Sequence, residues 1–152
     1  MSWIQPIFDR TTADVTRALY LQEKGFSNMT TDEQNEWLSG LKGALNISDL
    51  ERIENDIQYL SDVEDLGLVT YSGNVPEQPK TSYFNNLRSN VQSIRNAFAM
   101  HTDTPSVPSA PLNSFSDWND IEEILATAYE TFNARVFYYT GTELYSGNNV
   151  LI

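Results

Sequence analysis

The sequence predicts a mainly α-helical bundle of about five helices that ends in a short C-terminal β-hairpin. Three observations point there. Apolar residues recur at spacings of three and four along most of the chain. Ser/Thr-x-x-Asp/Glu pairs, the signature of a capped helix start, stand at the heads of those stripes. Gly and Pro gather in the stretches between them. Residues 1–152 are read as a single domain. It is divisible into two pseudo-repeated helix–loop–helix halves, over about 11–66 and 83–135, and a β element over 136–152.

An extended lead over Trp3–Phe8 precedes the first helix. Thr11 with Asp14 opens that helix, Val15, Ala18, Leu19 and Gln22 share its apolar stripe, and Gly25 ends it. Thr30 with Glu33 opens a second helix through Trp37, Leu38 and Leu41, ending near Gly43. Ser48 with Glu51 is the expected cap of the third, with Leu50, Ile53, Ile57 and Leu60 on one face. Gly67 to Ser82 contains Gly67, Gly73, Pro76 and Pro79 and reads as a loop, with a short strand expected at Leu68–Tyr71. A fourth helix is expected from Tyr83 to Met100, with Leu87, Val91, Ile94 and Phe98 inward. A proline-rich linker from His101 to Pro111 follows. The fifth helix is expected from Ser116, with Trp118, Ile121, Leu125, Ala128, Tyr129 and Phe132 on a broad face. Val136–Tyr139 reads as a strand, Thr140-Gly141-Thr142 as a turn and Leu144-Tyr145 as the return.

Self-comparison finds one internal echo. Ser48-Asp49-Leu50-Glu51-Arg52-Ile53-Glu54 recurs as Ser116-Asp117-Trp118-Asn119-Asp120-Ile121-Glu122, at an offset of 68 residues. Either the halves are duplicated, or both helices need the same cap and stripe.

Composition removes many functions. The chain has no Cys and one His, so thiol chemistry, disulfides, Cys-based zinc sites and multi-His zinc sites are excluded. Lys+Arg number 9 against 21 Asp+Glu, a net charge of −12, which opposes nucleic acid and anionic lipid. No apolar run approaches the ~20 residues of a membrane span. The start lacks the basic-then-apolar order of a signal peptide.

The candidate catalytic groups are sparse. His101 with Asp103 sits in a proline-bounded loop with no identifiable nucleophile and reads as solvated. The pairs Asp32/Glu33 and Glu122/Glu123 fall in first helical turns, where the macrodipole and water account for them. Asp62-x-Glu64-Asp65 lacks the ligand spacing and Gly of a calcium loop. No catalytic, cofactor-binding or metal-binding residue is assigned, no cofactor is expected, and the chain reads as a non-enzyme.

The aromatics divide. Trp37 and Trp118 are expected in the core. Trp3 is expected to staple the extended lead either onto its own bundle or onto a neighbouring subunit. The candidate interface residues lie at the two ends: Trp3, Ile4, Ile7 and Phe8, and Phe137, Tyr138, Tyr139, Leu144 and Tyr145.

Trp3-x-x-Pro6-Ile7-x-Asp9-Arg10-Thr11-x-x-Asp14-Val15, followed by Gly43-Ala44-Leu45-Asn46-x-x-Asp49-Leu50-x-Arg52-Ile53-Glu54-x-x-Ile57-x-Tyr59-Leu60, resembles a pattern in small tail-associated structural proteins of phages and prophages of Gram-positive bacteria. Pro108-Ser109-x-Pro111-Leu112-Asn113, with Asn119-x-Ile121-Glu122-x-Ile124-Leu125, resembles their second half, and Tyr139-Thr140-Gly141-x-Glu143-Leu144-Tyr145-x-Gly147 their ending. The resemblance implies a virion protein made in the host cytoplasm, at the tail tip, baseplate or fibre attachment, a connector or adaptor rather than the receptor-binding tip. Its partners would be other virion proteins and further copies of itself, with neither nucleic acid nor membrane. The competing reading is an acidic nucleic-acid mimic that inhibits an enzyme through a basic cleft. Seven acidic residues between Asn46 and Asp65, set against Arg52 alone, keep that reading open.

Overall fold

A computed structural model of the chain describes the backbone of residues 2–141 and the side chains of residues 2–135. It contains five α-helices: α1 (Thr12–Lys24), α2 (Thr31–Leu38), α3 (Ile47–Val63), α4 (Thr81–Ala97) and α5 (Phe115–Gly141). A single 3-10 turn, Phe26–Asn28, links α1 to α2, and no strand occurs among the described residues.

The first two starts are the expected ones. The Asp14 amide donates to Thr11 Oγ1 at 3.3 Å and the Thr11 amide to Asp14 Oδ2 at 2.8 Å. Thr30 and Glu33 repeat the exchange. The other two caps differ from expectation by the same shift of two residues. Helix α3 is capped by Asn46 with Asp49, and α5 by Ser114 with Asp117. Ser48 and Ser116 are exposed in the first turns instead. An aspartate three residues into the helix explains the shift, because its carboxylate reaches back to two donors. Asp49 Oδ2 takes the Asn46 amide at 2.9 Å and its side-chain NH2 at 3.0 Å. Asp117 Oδ2 takes the amides of Ser114 and Asn113. The offset of 68 is preserved in both cap residues.

Helices α3, α4 and α5 form the core. Leu50, Ile53, Ile57 and Leu60 pack in one cluster with Leu87, Val91 and Ile94 and with Trp118, Ile121, Leu125 and Ala128, as the stripes predict. Helices α1 and α2 stand on a smaller cluster of Ala18, Leu21, Met29 and Leu41. That cluster is narrow, so the expected α1 stripe is only half inward: Ala18 is buried and Val15 half-buried, while Gln22 is exposed and Leu19 is 58% exposed; Leu21, outside that stripe, is buried. Helix α2 ends at Leu38 rather than near Gly43, because Gly40 leaves the helix at φ +90°. It buries no side chain completely, so Trp37 lies at the surface rather than in the core, whereas Trp118 is buried.

Gly43 sits where the turn after α2 crosses the start of α1. A Cβ there would overlap the Asp14 carbonyl and stand 2.5 Å from the Val15 nitrogen. Gly43→Ala is therefore expected to destabilise the chain by roughly 1–3 kcal/mol, since backbone must move to admit the methyl. A urea midpoint equal to the parent's would refute the close crossing.

Two β expectations are corrected. Leu68–Tyr71 forms no strand. The Leu68 amide donates to Ser61 Oγ at 3.0 Å and the Val69 carbonyl accepts from Asn90 Nδ2 at 2.9 Å, so helix side chains replace a sheet partner. Val136–Tyr139 continues α5. Extending a helix already over twenty residues long adds a hydrogen bond per residue, which outweighs the few tenths of a kcal/mol by which Val, Phe and Tyr disfavour it. The expected return at Leu144-Tyr145 lies outside the described residues, as do the side chains of Phe137, Tyr138 and Tyr139.

Candidate functional site: the lock under the N-terminal strap

Residues 2–10 carry no helix or strand, so their backbone groups must find partners elsewhere. Side chains from α3 and α5 supply them. Asn55 Nδ2 donates to the Ser2 carbonyl at 2.8 Å, and Asp56 Oδ1 accepts the Ile4 amide at 3.0 Å. Glu122 Oε2 accepts the Ile7 amide at 2.7 Å. Asn119 accepts the Arg10 amide at 3.1 Å and donates to the Arg10 carbonyl at 2.9 Å. Pro6, which has no amide to satisfy, is buried among these contacts. Trp3 fastens the far end, stacked on Tyr129 with centroids 4.0 Å apart and edge-on to Tyr59 at 5.8 Å.

A four-residue ion network lies at the centre. Arg10 Nη2 reaches Glu122 Oε1 at 2.9 Å and Asp49 Oδ1 at 3.5 Å, while Arg10 Nη1 donates to the Ile7 carbonyl at 2.6 Å. Arg52 forks onto Glu122 at 2.9 and 2.6 Å and also reaches Asp49 at 2.9 Å. Arg10, Asp49 and Glu122 are buried. Two guanidiniums against two carboxylates leave no net charge, which is what makes the burial tolerable. Burial opposes the charge on Arg52, but its bonds to Glu122 and Asp49 outweigh that and hold its pKa above the usual value.

Glu54 plays a matching part for the segment between α3 and α4. It is buried on α3 and accepts the Tyr71 amide at 2.8 Å. Burial raises its pKa, and the bond from the Tyr71 amide opposes that. Glu54 and Glu122 are identical positions of the 68-residue echo, and each holds the backbone of a segment outside the helices.

Asp56 is the titratable group of the strap contact. Burial pushes its carboxyl up to about 7, opposed by the Ile4 amide, Asn55 and Arg52 and reinforced by Glu122. A folded-state pKa above the ordinary carboxylate value gives stability that is full at low pH and lost as pH rises through about 7. Urea unfolding at pH 5 and pH 8 is expected to show that loss. Asp56→Asn keeps an oxygen for the Ile4 amide and is expected to flatten it. An equal pH slope in the two proteins would contradict the assignment.

The other predicted residues are dispersed. Glu122 is buried in the network rather than solvated in a first turn. Glu33 pairs with Lys24 at 2.7 Å, and exposed His101 stands 3.2 Å from Glu130. Asp62 accepts from Gln58, and Glu64 pairs with Arg135. Among the described residues no three His, Asp or Glu side chains are grouped to hold a metal, and no helix is long and apolar enough to cross a membrane. Of the candidate interface residues, Trp3 turns inward and Ile7 is half-buried, while Ile4 and Phe8 remain exposed.

The network itself lacked a signal in any single motif, since its members come from the strap, α3 and α5. The usable clue was a glutamate repeated within an apolar helix face. A second feature was also missed. Leu19, Tyr20, Phe26, Trp37 and Leu38, all in the α1–α2 unit, are five of the ten exposed large apolar side chains among the described residues. Comparison with protein families, curated proteins and solved structures found no match.

Proposed function

We propose that the chain is a structural protein of a phage virion, a tail or baseplate component or fibre adaptor that works through subunit–subunit contacts. The observation that carries this reading is the exposed apolar set on the α1–α2 unit, with Leu38 72% exposed and Leu19 58% exposed. Half of the exposed large apolar side chains among the described residues fall in this unit, and covering them with another protein would remove their apolar surface from water. The sequence resemblance supplies the class of partner, namely other virion proteins and copies of this chain. The residues that carry the resemblance fit a structural role. Trp3, Pro6, Ile7, Arg10, Asp49, Arg52 and Glu122 all serve the strap lock, and each network carboxylate is committed to a guanidinium or an amide. No catalytic step and no cofactor enters the proposal.

Charge placement disfavours the mimic reading. Of the seven acidic side chains between Asn46 and Asp65, Asp49, Glu54 and Asp56 are buried and Glu64 is paired with Arg135. The run therefore lacks the dense exposed stripe that a basic cleft would read.

Mass spectrometry of purified particles tests the proposal. The protein is expected at stoichiometric copy number, and Leu38→Glu with Leu19→Glu is expected to keep the parent's circular dichroism yet be lost from particles. A parent protein missing from particles would overturn the virion role, and full incorporation of the folded variant would overturn the role of these side chains.

A further inference from the structure

A cleft of about 420 Å³ opens beside the strap, bounded by the loop after α4 and by the middle of α5. Its lining includes the aromatics Trp3, Phe8 and Tyr129 and the acids Asp103, Glu123 and Glu130. Glu130 is engaged by His101, whereas neither Asp103 nor Glu123 belongs to a salt bridge among the described residues. Among the described residues, the charges that act on Glu123 are those of Asp120 and Asp103. Burial and these two neighbours raise its pKa. Thr104 lines the same cleft. It is 8% exposed, and its hydroxyl has no hydrogen-bond partner among the described residues. A native fold seldom leaves a buried hydroxyl without a partner, and Thr104 is one of the residues that line the cleft.

We propose that this cleft binds an alkylammonium group, its methylene chain laid against Trp3, Phe8 and Tyr129 and its charge set against Asp103 and Glu123. Aromatic faces and carboxylates together are the chemistry that selects an organic cation. The carboxylates are not grouped to chelate a metal ion, and a bare ion would leave the aromatics unused. The volume suits a chain of several carbons rather than a lone ammonium. A free polyamine and a lysine side chain of another polypeptide share this chemistry. The site is independent of the assembly role, because none of its residues belongs to the apolar set on the α1–α2 unit.

Amide NMR of the full chain titrated with n-pentylammonium chloride tests the site. Shifts are expected at Trp3, Asp103, Thr104 and Glu123, weakening several-fold from low to high salt. Neutral 1-pentanol is expected to bind about tenfold more weakly, and Asp103→Asn with Glu123→Gln is expected to weaken pentylammonium about tenfold. Equal binding of pentanol and pentylammonium, shifts confined to other surfaces, or unchanged affinity in the folded double variant would each overturn the proposal. The pentanol comparison uses the parent chain and needs no variant to fold. Spermidine and Nα-acetyl-lysine N-methylamide are the two source arms: tighter spermidine binding supports a free polyamine, and tighter lysine-amide binding supports a lysine of a partner. Failure of both to bind overturns the site.

Discussion

Glu122→Ala is expected to destabilise the chain by about 3–5 kcal/mol, the scale for breaking a buried ion network from one side. Glu122 is 0% exposed and accepts four hydrogen bonds, from the Ile7 amide, from Arg10 and twice from Arg52. Its removal leaves two guanidiniums sharing Asp49 alone, and a strap amide without an acceptor. Glu122→Gln keeps an acceptor but not the charge and is expected to fall between parent and alanine. The cost should be strongly non-additive with Arg10→Ala, because the second change removes one of the charges that the first leaves unpaired. Urea unfolding of the parent, the three single variants and the Glu122→Ala/Arg10→Ala double variant reads these effects. A loss below 1 kcal/mol for Glu122→Ala would mean that water already serves these groups.

Ile53→Ala is expected to cost about 2–5 kcal/mol. Ile53 is 0% exposed and lies in the cluster where α3 meets α4 and α5. Deleting three carbons there loses their transfer energy and leaves a cavity that three packed helices cannot fully close. Leu38→Ala is the matched control, since Leu38 is 72% exposed and a surface truncation costs within ~0.5 kcal/mol. Equal urea midpoints for the two variants would contradict the three-helix core.

These two substitutions also mark how far the sequence could be read. The stripe Leu50, Ile53, Ile57, Leu60 and its partners on α4 and α5 were legible because helical periodicity is local and amphipathic. The caps were legible to within two residues. Ser48 and Ser116 compete with Asn46 and Ser114, and only the reach of Asp49 and Asp117 decides between them. Glu122 was not legible. A glutamate in the opening turns of a helix is ordinarily solvated, and nothing local reports that Arg10, 112 residues away, will meet it. The C-terminal strand failed for a different reason: β-branched and aromatic residues favour strands only weakly, and a long preceding helix overrides them. On α1, periodicity chose Leu19 where the fold buries Leu21, because the partner surface is too small to cover the whole stripe.

The motif residues lock the N-terminal strap into the bundle as part of the fold. Hydrogen exchange of the Ile7 amide tests it most directly, because that amide belongs to no helix or strand and donates only to buried Glu122 at 2.7 Å. Its protection is expected to approach that of core amides such as Ile57 and Leu125, and to collapse in Glu122→Ala together with that of the Ile4 and Arg10 amides. An Ile7 amide that exchanges at the rate of a free chain, while Ile57 and Leu125 stay protected, would contradict the lock.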